Sequence, residues 1–246
     1  VLGFVATCDF QTVAQSPSSN LGEYFYAVVP TNPAAGYADG ETSDAWLRQM
    51  RSTVIHEVKH IVAFGERLSR GLGVEDRSWE EGMARTTEEL YARTIYGTQA
   101  KQNTDYAASL SCDLRYTTVT LPQCLDRPLL MLRHFDALYQ YASFPEAFSP
   151  LGQLFGSDGT FYATTWAFLR WANDHFAANE GQFFKDWTVN PTSGIQNLEA
   201  RTGRLWEEML GEWSLALYLD DEPGFTSENA RLRMPSWNVH DLWLGM

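Results

Sequence analysis

The sequence predicts an α+β chain: a short N-terminal β-rich segment, about residues 1–42, followed by a mainly helical body over about 43–246. Two observations lead there. Val1 to Phe10 and Glu23 to Pro30 are rich in β-branched and aromatic residues and are bounded by Asn, Ser, Gly and Pro. From about Asp44 to Phe64, and in almost every segment from Ser78 onward, the apolar residues instead recur at threes and fours, the period of an amphipathic helix. With 246 residues, 44% of them hydrophobic and 14% aromatic, the chain has ample material for a packed core. It carries no internal repeat, low-complexity tract or clear linker, so a single domain over 1–246 is expected.

Taken in order, the strands come first, the second centred on Tyr24-Phe25-Tyr26-Ala27-Val28-Val29. Pro30 to Glu41 reads as a loop, with Asn32-Pro33 and Gly36 as breakers. A buried helix is expected from about Asp44 to Phe64, because Trp46, Leu47, Met50, Val54, Ile55, Val58, Ile61 and Val62 recur at helical spacing. Further helices are predicted over Trp79 to Tyr96, stopped by Gly97, then Pro128 to Ala142, Thr160 to Ala177, Gly181 to Trp187, Ile195 to Arg201 and Arg204 to Leu219. Pro128 just inside its helix and Gly97 just past its own are apt boundary residues.

The first long helix carries His56-Glu57-Val58-Lys59-His60, the pattern HExxH. Residues four apart share a helix face, so both imidazoles can reach one metal ion. Two neutral nitrogen ligands suit Zn²⁺, and Glu57, about 100° round the helix, can reach a metal-bound water and take its proton. A catalytic zinc site needs a third protein ligand. Downstream stands Trp79-Glu80-Glu81-Gly82-Met83-Ala84, with Glu88 beyond. Glu81 is the candidate ligand and Glu80 the substitute. Ser78-Trp79-Glu80-Glu81 also fits a capping box, in which Glu81 would only cap its own helix. Glu88 can equally be a helix carboxylate paired with Arg85.

HExxH, then twenty residues, then Glu81-Gly82-x-Ala84 and a further Glu seven positions on resembles the gluzincin metallopeptidases. The resemblance implies a zincin-like fold with HExxH on a central helix, Glu81 as third zinc ligand, and Glu88 supporting a ligand histidine. It also implies a small sheet over the active helix whose edge strand binds substrate backbone, for which Tyr24 to Val29 is the candidate. Phe161-Tyr162 followed by an apolar helical run resembles the helix of gluzincin aminopeptidases that begins with a catalytic Tyr, which maps onto Tyr162. Thr165 stands where that helix usually has Gly, and a Tyr among aromatic neighbours is also a common core residue.

Trp206 to Asp221 and Arg233 to Asn238 look like the closing part of bacterial secreted peptidases of the hyicolysin type. The implied activity is zinc-dependent hydrolysis of protein or peptide substrates. The aminopeptidase motif Gly-x-Met-Glu-Asn is absent, which points to an endopeptidase. The competing reading is a noncatalytic accessory or binding subunit that kept the fold. His134, His175 and His240 belong to no motif and read as structural.

A net charge of −13 argues against nucleic acid or an anionic membrane surface as partner. No apolar run reaches the roughly eighteen residues of a transmembrane span. The chain starts at Val1 without an initiating Met, which fits a secreted or otherwise extracytoplasmic protein whose leader has been removed. In such a compartment Cys112 and Cys124 could close a disulfide, leaving Cys8 over.

Overall fold

The computed structural model describes residues 3–27, 43–105, 131–148, 150–151 and 159–246. Strand β1 (Gly3–Val5) pairs antiparallel with β2 (Phe25–Ala27), and Phe4 stacks on Tyr26 with ring centroids 4.9 Å apart. The architecture is α+β, an N-terminal hairpin joined to a mainly helical body. Strand β1 ends at Val5, short of the Phe10 that its composition suggests. Asp9 gives the reason: its buried carboxylate accepts the Asn20 backbone N–H at 2.7 Å and the Tyr26 hydroxyl, so Thr7–Phe10 coils into a 3-10 helix instead of extending the strand. The predicted Pro30 to Glu41 loop, the Val28 to Pro30 end of the second strand, the Pro128 helix start and the Cys112/Cys124 pair lie outside the described residues.

Helix α1 (Ser43–Ser69) continues beyond the predicted end at Phe64. Its inward stripe is His56, His60, Ala63, Phe64 and Arg67, all buried, at the three-and-four spacing of one helix face. Val54, Val58 and Val62 are exposed among the described residues. This corrects the expectation that these valines bury the helix. Apolar residues run down two of its sides, and the packed side is the one that carries the histidines. Arg67 ties the end of α1 down by donating from Nη1 to the carbonyls of Thr188 at 3.2 Å and Asn190 at 3.1 Å.

Helix α2 (Arg77–Tyr96) begins slightly before the predicted Trp79 and ends at Gly97, whose φ of 74° supplies the left-handed C-cap. Four predicted helices follow close to their expected bounds: α3 (Leu132–Ser143), α4 (Thr160–Phe176), α5 (Glu180–Thr188) and α6 (Gly194–Thr202). Next comes α7 (Trp206–Leu219), then α8 (Val239–Gly245), which the sequence reading missed because 7 residues are too few to show a period. Its N-cap is Asn238, whose side chain accepts the Asp241 N–H.

The core lies around α4, which packs chiefly on α2 and α3 and buries Trp166, Phe168, Leu169 and Trp171. A charge sits within it. Glu89 of α2 is fully buried and accepts hydrogen bonds from Trp166 Nε1 at 2.8 Å, Trp237 Nε1 at 3.0 Å and Arg170 Nε at 3.0 Å. A carboxylate so deep is tolerable only when paired and fully bonded. Helix α2 therefore faces two ways: Glu89 anchors it to α4, and its other carboxylates turn toward α1.

Candidate metal centre

His56 and His60 stand one turn apart on the buried face of α1, opposite the first turns of α2. Their Nε2 atoms converge on one oxygen: Glu81 Oε2 lies 3.0 Å from His56 Nε2 and 3.5 Å from His60 Nε2. The ligating atoms of these three residues all fall within 4.8 Å of one another, forming a candidate metal site that spans two helices. Two ligands on a tetrahedral zinc are about 3.3 Å apart at ordinary bond lengths. The two nitrogen-to-oxygen spacings and the two-nitrogen, one-oxygen donor set both fit such an ion.

The opposite edges of the two rings are also held. His56 Nδ1 is 2.7 Å from Glu88 Oε1, and His60 Nδ1 is 2.8 Å from Glu80 Oε1. An imidazole that donates its Nδ1–H to a carboxylate leaves the Nε2 lone pair for a metal and cannot swing away. Both carboxylates are themselves fixed. Glu88 accepts from Ser52 Oγ at 2.7 Å and Arg85 Nη1 at 3.1 Å, and Glu80 is paired with Lys59 Nζ at 2.6 Å.

This geometry bears on three sequence alternatives. Glu81 does not act in a capping box, because Ser78 lies inside α2, whose N-cap is Asp76, and the Glu81 carboxylate faces the histidines. Glu88 pairs with Arg85 and with His56 together. Glu80 stands behind His60 rather than in place of Glu81. The sequence reading missed that position and also missed Ser52, although Ser52 lies one turn before His56 on the same face and so carried a usable signal.

The electrostatics follow from burial and these pairs. Burial pulls the His56 imidazolium down, but its bonds to Glu81 and Glu88 carry it above its ordinary pKa. Burial likewise opposes His60, whose bonds to Glu80 and Glu81 raise it to about 9. Despite desolvation, the histidine partners hold Glu81 well below the usual carboxylate range, and Arg85 and His56 do the same for Glu88. Glu57 goes the other way: burial raises its pKa.

Glu57, His56, His60 and Glu81 open into a cavity of about 520 Å³ that β1 helps to line. The Val5 backbone N–H bonds the Glu57 carboxylate. The strand seen at the cavity is thus β1, through Gly3, Phe4 and Val5, whereas no residue of the described part of the Tyr24 to Val29 stretch, Tyr24 to Ala27, lines it.

Tyr162 reaches the same cavity from the first turn of α4, just after Gly159, whose φ is 93°. Its ring lies alongside His56, with centroids 6.3 Å apart and planes 19° apart. Its hydroxyl shares hydrogen bonds with Glu81 and with the Arg77 guanidinium, and burial followed by the Glu81 charge raises its pKa. A neutral donor therefore stands beside the cluster.

The remaining histidines do not join it. His134 bonds the Arg85 carbonyl, His175 the Arg233 carbonyl, and His240 pairs with Glu222. Cys8 carries a free thiol. No helix among the described residues is long and apolar enough to cross a membrane. No family model matches the chain and no curated protein matches it, so the assignment of His56, His60 and Glu81 as a candidate metal site rests on their geometry.

Proposed function

We propose that this chain is a gluzincin-like zinc peptidase that hydrolyses peptide bonds within protein or peptide substrates, with His56, His60 and Glu81 holding the metal. One observation carries the reading: both Nε2 atoms converge on Glu81 Oε2 in a cavity that also contains the carboxylate of Glu57. A zinc ion held there would acidify a water molecule and polarise the scissile carbonyl. Glu57 takes the proton of the attacking water and passes it to the leaving amine. Its raised pKa makes it a stronger base for this, and the Val5 N–H keeps the carboxylate in place. The Tyr162 hydroxyl stays protonated at neutral pH and donates to the oxygen on which negative charge builds. Glu88 and Glu80 hold the two imidazoles in orientation.

A protein that only bound metal would have no use for a buried carboxylate beside the ligands, which favours the peptidase over a noncatalytic accessory subunit. The test is metal analysis of the purified chain together with hydrolysis of an unfolded protein, with and without chelator. About one zinc per chain and hydrolysis that chelator stops and zinc restores are expected. Zinc retained without any hydrolysis would leave the accessory reading in its place.

A further inference from the structure

A second cavity, of about 450 Å³, adjoins the metal centre, and Arg77 and Tyr162 line both. Its wall also holds Arg85, Gln140 and Thr160, and no carboxylate among the described residues lines it. In a chain with 18 basic residues against 31 acidic ones, two arginines lining one cavity whose described wall holds no acid are a local reversal of charge. Arg77 forms no ion pair with a carboxylate among the described residues; its bond goes to the neutral Tyr162 hydroxyl. Arg85 gives one Nη to Glu88. Each guanidinium also stands over an aromatic ring, Arg77 over Phe161 at 5.7 Å and Arg85 over Tyr162 at 5.8 Å. Stacking of this kind positions the cation and leaves its N–H donors free.

We infer that this cavity binds a carboxylate of the substrate, so that cleavage is directed to bonds close to an acidic group. The inference rests on the peptidase reading for its consequence, but not for the binding itself. A planar guanidinium fork matches a carboxylate in shape and charge. Because Tyr162 forms part of both walls, a peptide whose carbonyl lies at the metal centre has the arginine cavity as its next recess. Two sources offer the same chemistry, an Asp or Glu side chain and a free C-terminal carboxylate.

The test uses short peptides in matched pairs: blocked peptides carrying Glu or Gln at each position in turn, and one neutral sequence ending in a free acid or an amide. The zinc-loaded protein is expected to cleave the acidic member of a pair with a kcat/KM about tenfold higher, the scale of one charge-assisted hydrogen bond. The pair that shows the effect identifies the source. Gln140→Glu, which adds a carboxylate to the cavity wall, should erase the ratio, and Arg77→Gln should reduce it. Binding of the same pairs to Glu57→Ala by calorimetry provides a readout without turnover. Discrimination in binding with no hydrolysis by the wild type would sustain the acidic subsite while removing the peptidase reading. Hydrolysis with equal rates for every pair, or ratios unmoved by Gln140→Glu, would overturn the subsite alone.

Discussion

Gly82 of α2 presses against Thr165 of α4: a Cβ on residue 82 would fall 2.6 Å from the Thr165 Cγ2 methyl, closer than real Cβ contacts come. The residue before Gly82 is the candidate ligand Glu81, and Tyr162 lies one turn before Thr165. This single contact therefore fixes the separation of the two helices that bring Glu81 and the Tyr162 hydroxyl together. It also explains why Thr is accommodated at 165, since the missing side chain is supplied on the facing helix.

Gly82→Ala should accordingly destabilise the protein, although Ala is the better helix former. The helix gain is about 1 kcal/mol, whereas forcing a methyl into a close-packed contact costs about 1–3 kcal/mol. Thr165→Ser removes the opposing methyl and keeps a hydroxyl able to bond the Pro150 carbonyl, as Thr165 does at 3.0 Å. Denaturant unfolding of the two single variants and the double variant checks this. The double variant should recover part of the loss, and strictly additive effects would contradict the contact.

Three neighbouring carboxylates of α2 should differ in what they do to metal affinity. Glu81→Ala removes a candidate ligand and should abolish stable zinc binding. Glu88→Ala and Glu80→Ala leave the ligands in place but free the rings of His56 and His60, and each should weaken zinc by about 10–100-fold. Competition against a chromogenic chelator measures all three. An unchanged affinity in Glu80→Ala would mean that the 2.8 Å contact with His60 serves only the Lys59 pair.

His134 gives the fold a defined acid sensitivity. The ring is fully buried, Nε2–H donates to the Arg85 carbonyl at 3.0 Å, and Nδ1 has no partner among the described residues. Burial pushes its pKa down to about 4, against about 6.5 in an unfolded chain. Between these values the unfolded chain binds the proton and the native chain does not, so stability rises with pH. The contribution is complete above about 6.5 and is lost as pH falls toward 4. His134→Phe, which preserves an aromatic edge against Trp166, should flatten the stability profile in that window by up to about 1.4 kcal/mol per pH unit. Urea unfolding across pH 4–7 in wild type and variant decides it; parallel profiles would show that another group carries the dependence.

The α1 histidines were legible in the sequence because ligation by residues four apart is a property of one helix, and one helix can be read from one segment. Glu88 behind His56 was half legible for the same reason, two turns from Glu81 on its own helix. The role of Glu80 was not. Adjacent carboxylates on a helix point about 100° apart, and only the way α1 crosses α2 decides that Glu81 meets the Nε2 edges while Glu80 meets the Nδ1 edge of His60. The exposed valines of α1 and the choice of β1 over β2 as the cavity wall fail for a related reason: period and composition identify an element but not which of its faces finds a partner. Asp9 shows the same limit within the hairpin, where a contact with Tyr26, seventeen positions away, ends a strand that composition would have continued.

Glu57 and Tyr162 separate chemistry from metal binding, and their variants should do so in different ways. Glu57→Gln removes the proposed general base without touching a candidate ligand, so zinc should stay bound while kcat falls by about 10²–10⁴-fold. Tyr162→Phe removes the proposed donor to the developing charge and should lower kcat by about 10²–10³-fold with little change in KM. The Tyr162 hydroxyl, however, also bonds Glu81, so it could act by steadying that ligand instead. Zinc affinity distinguishes the two. If Tyr162→Phe keeps wild-type zinc affinity and loses turnover, the hydroxyl acts on the substrate oxygen. If the loss of turnover follows the loss of zinc and is restored at saturating metal, Tyr162 is a positioning residue for Glu81, and the donor to the oxyanion must be sought elsewhere, with Arg77 on the shared wall a candidate.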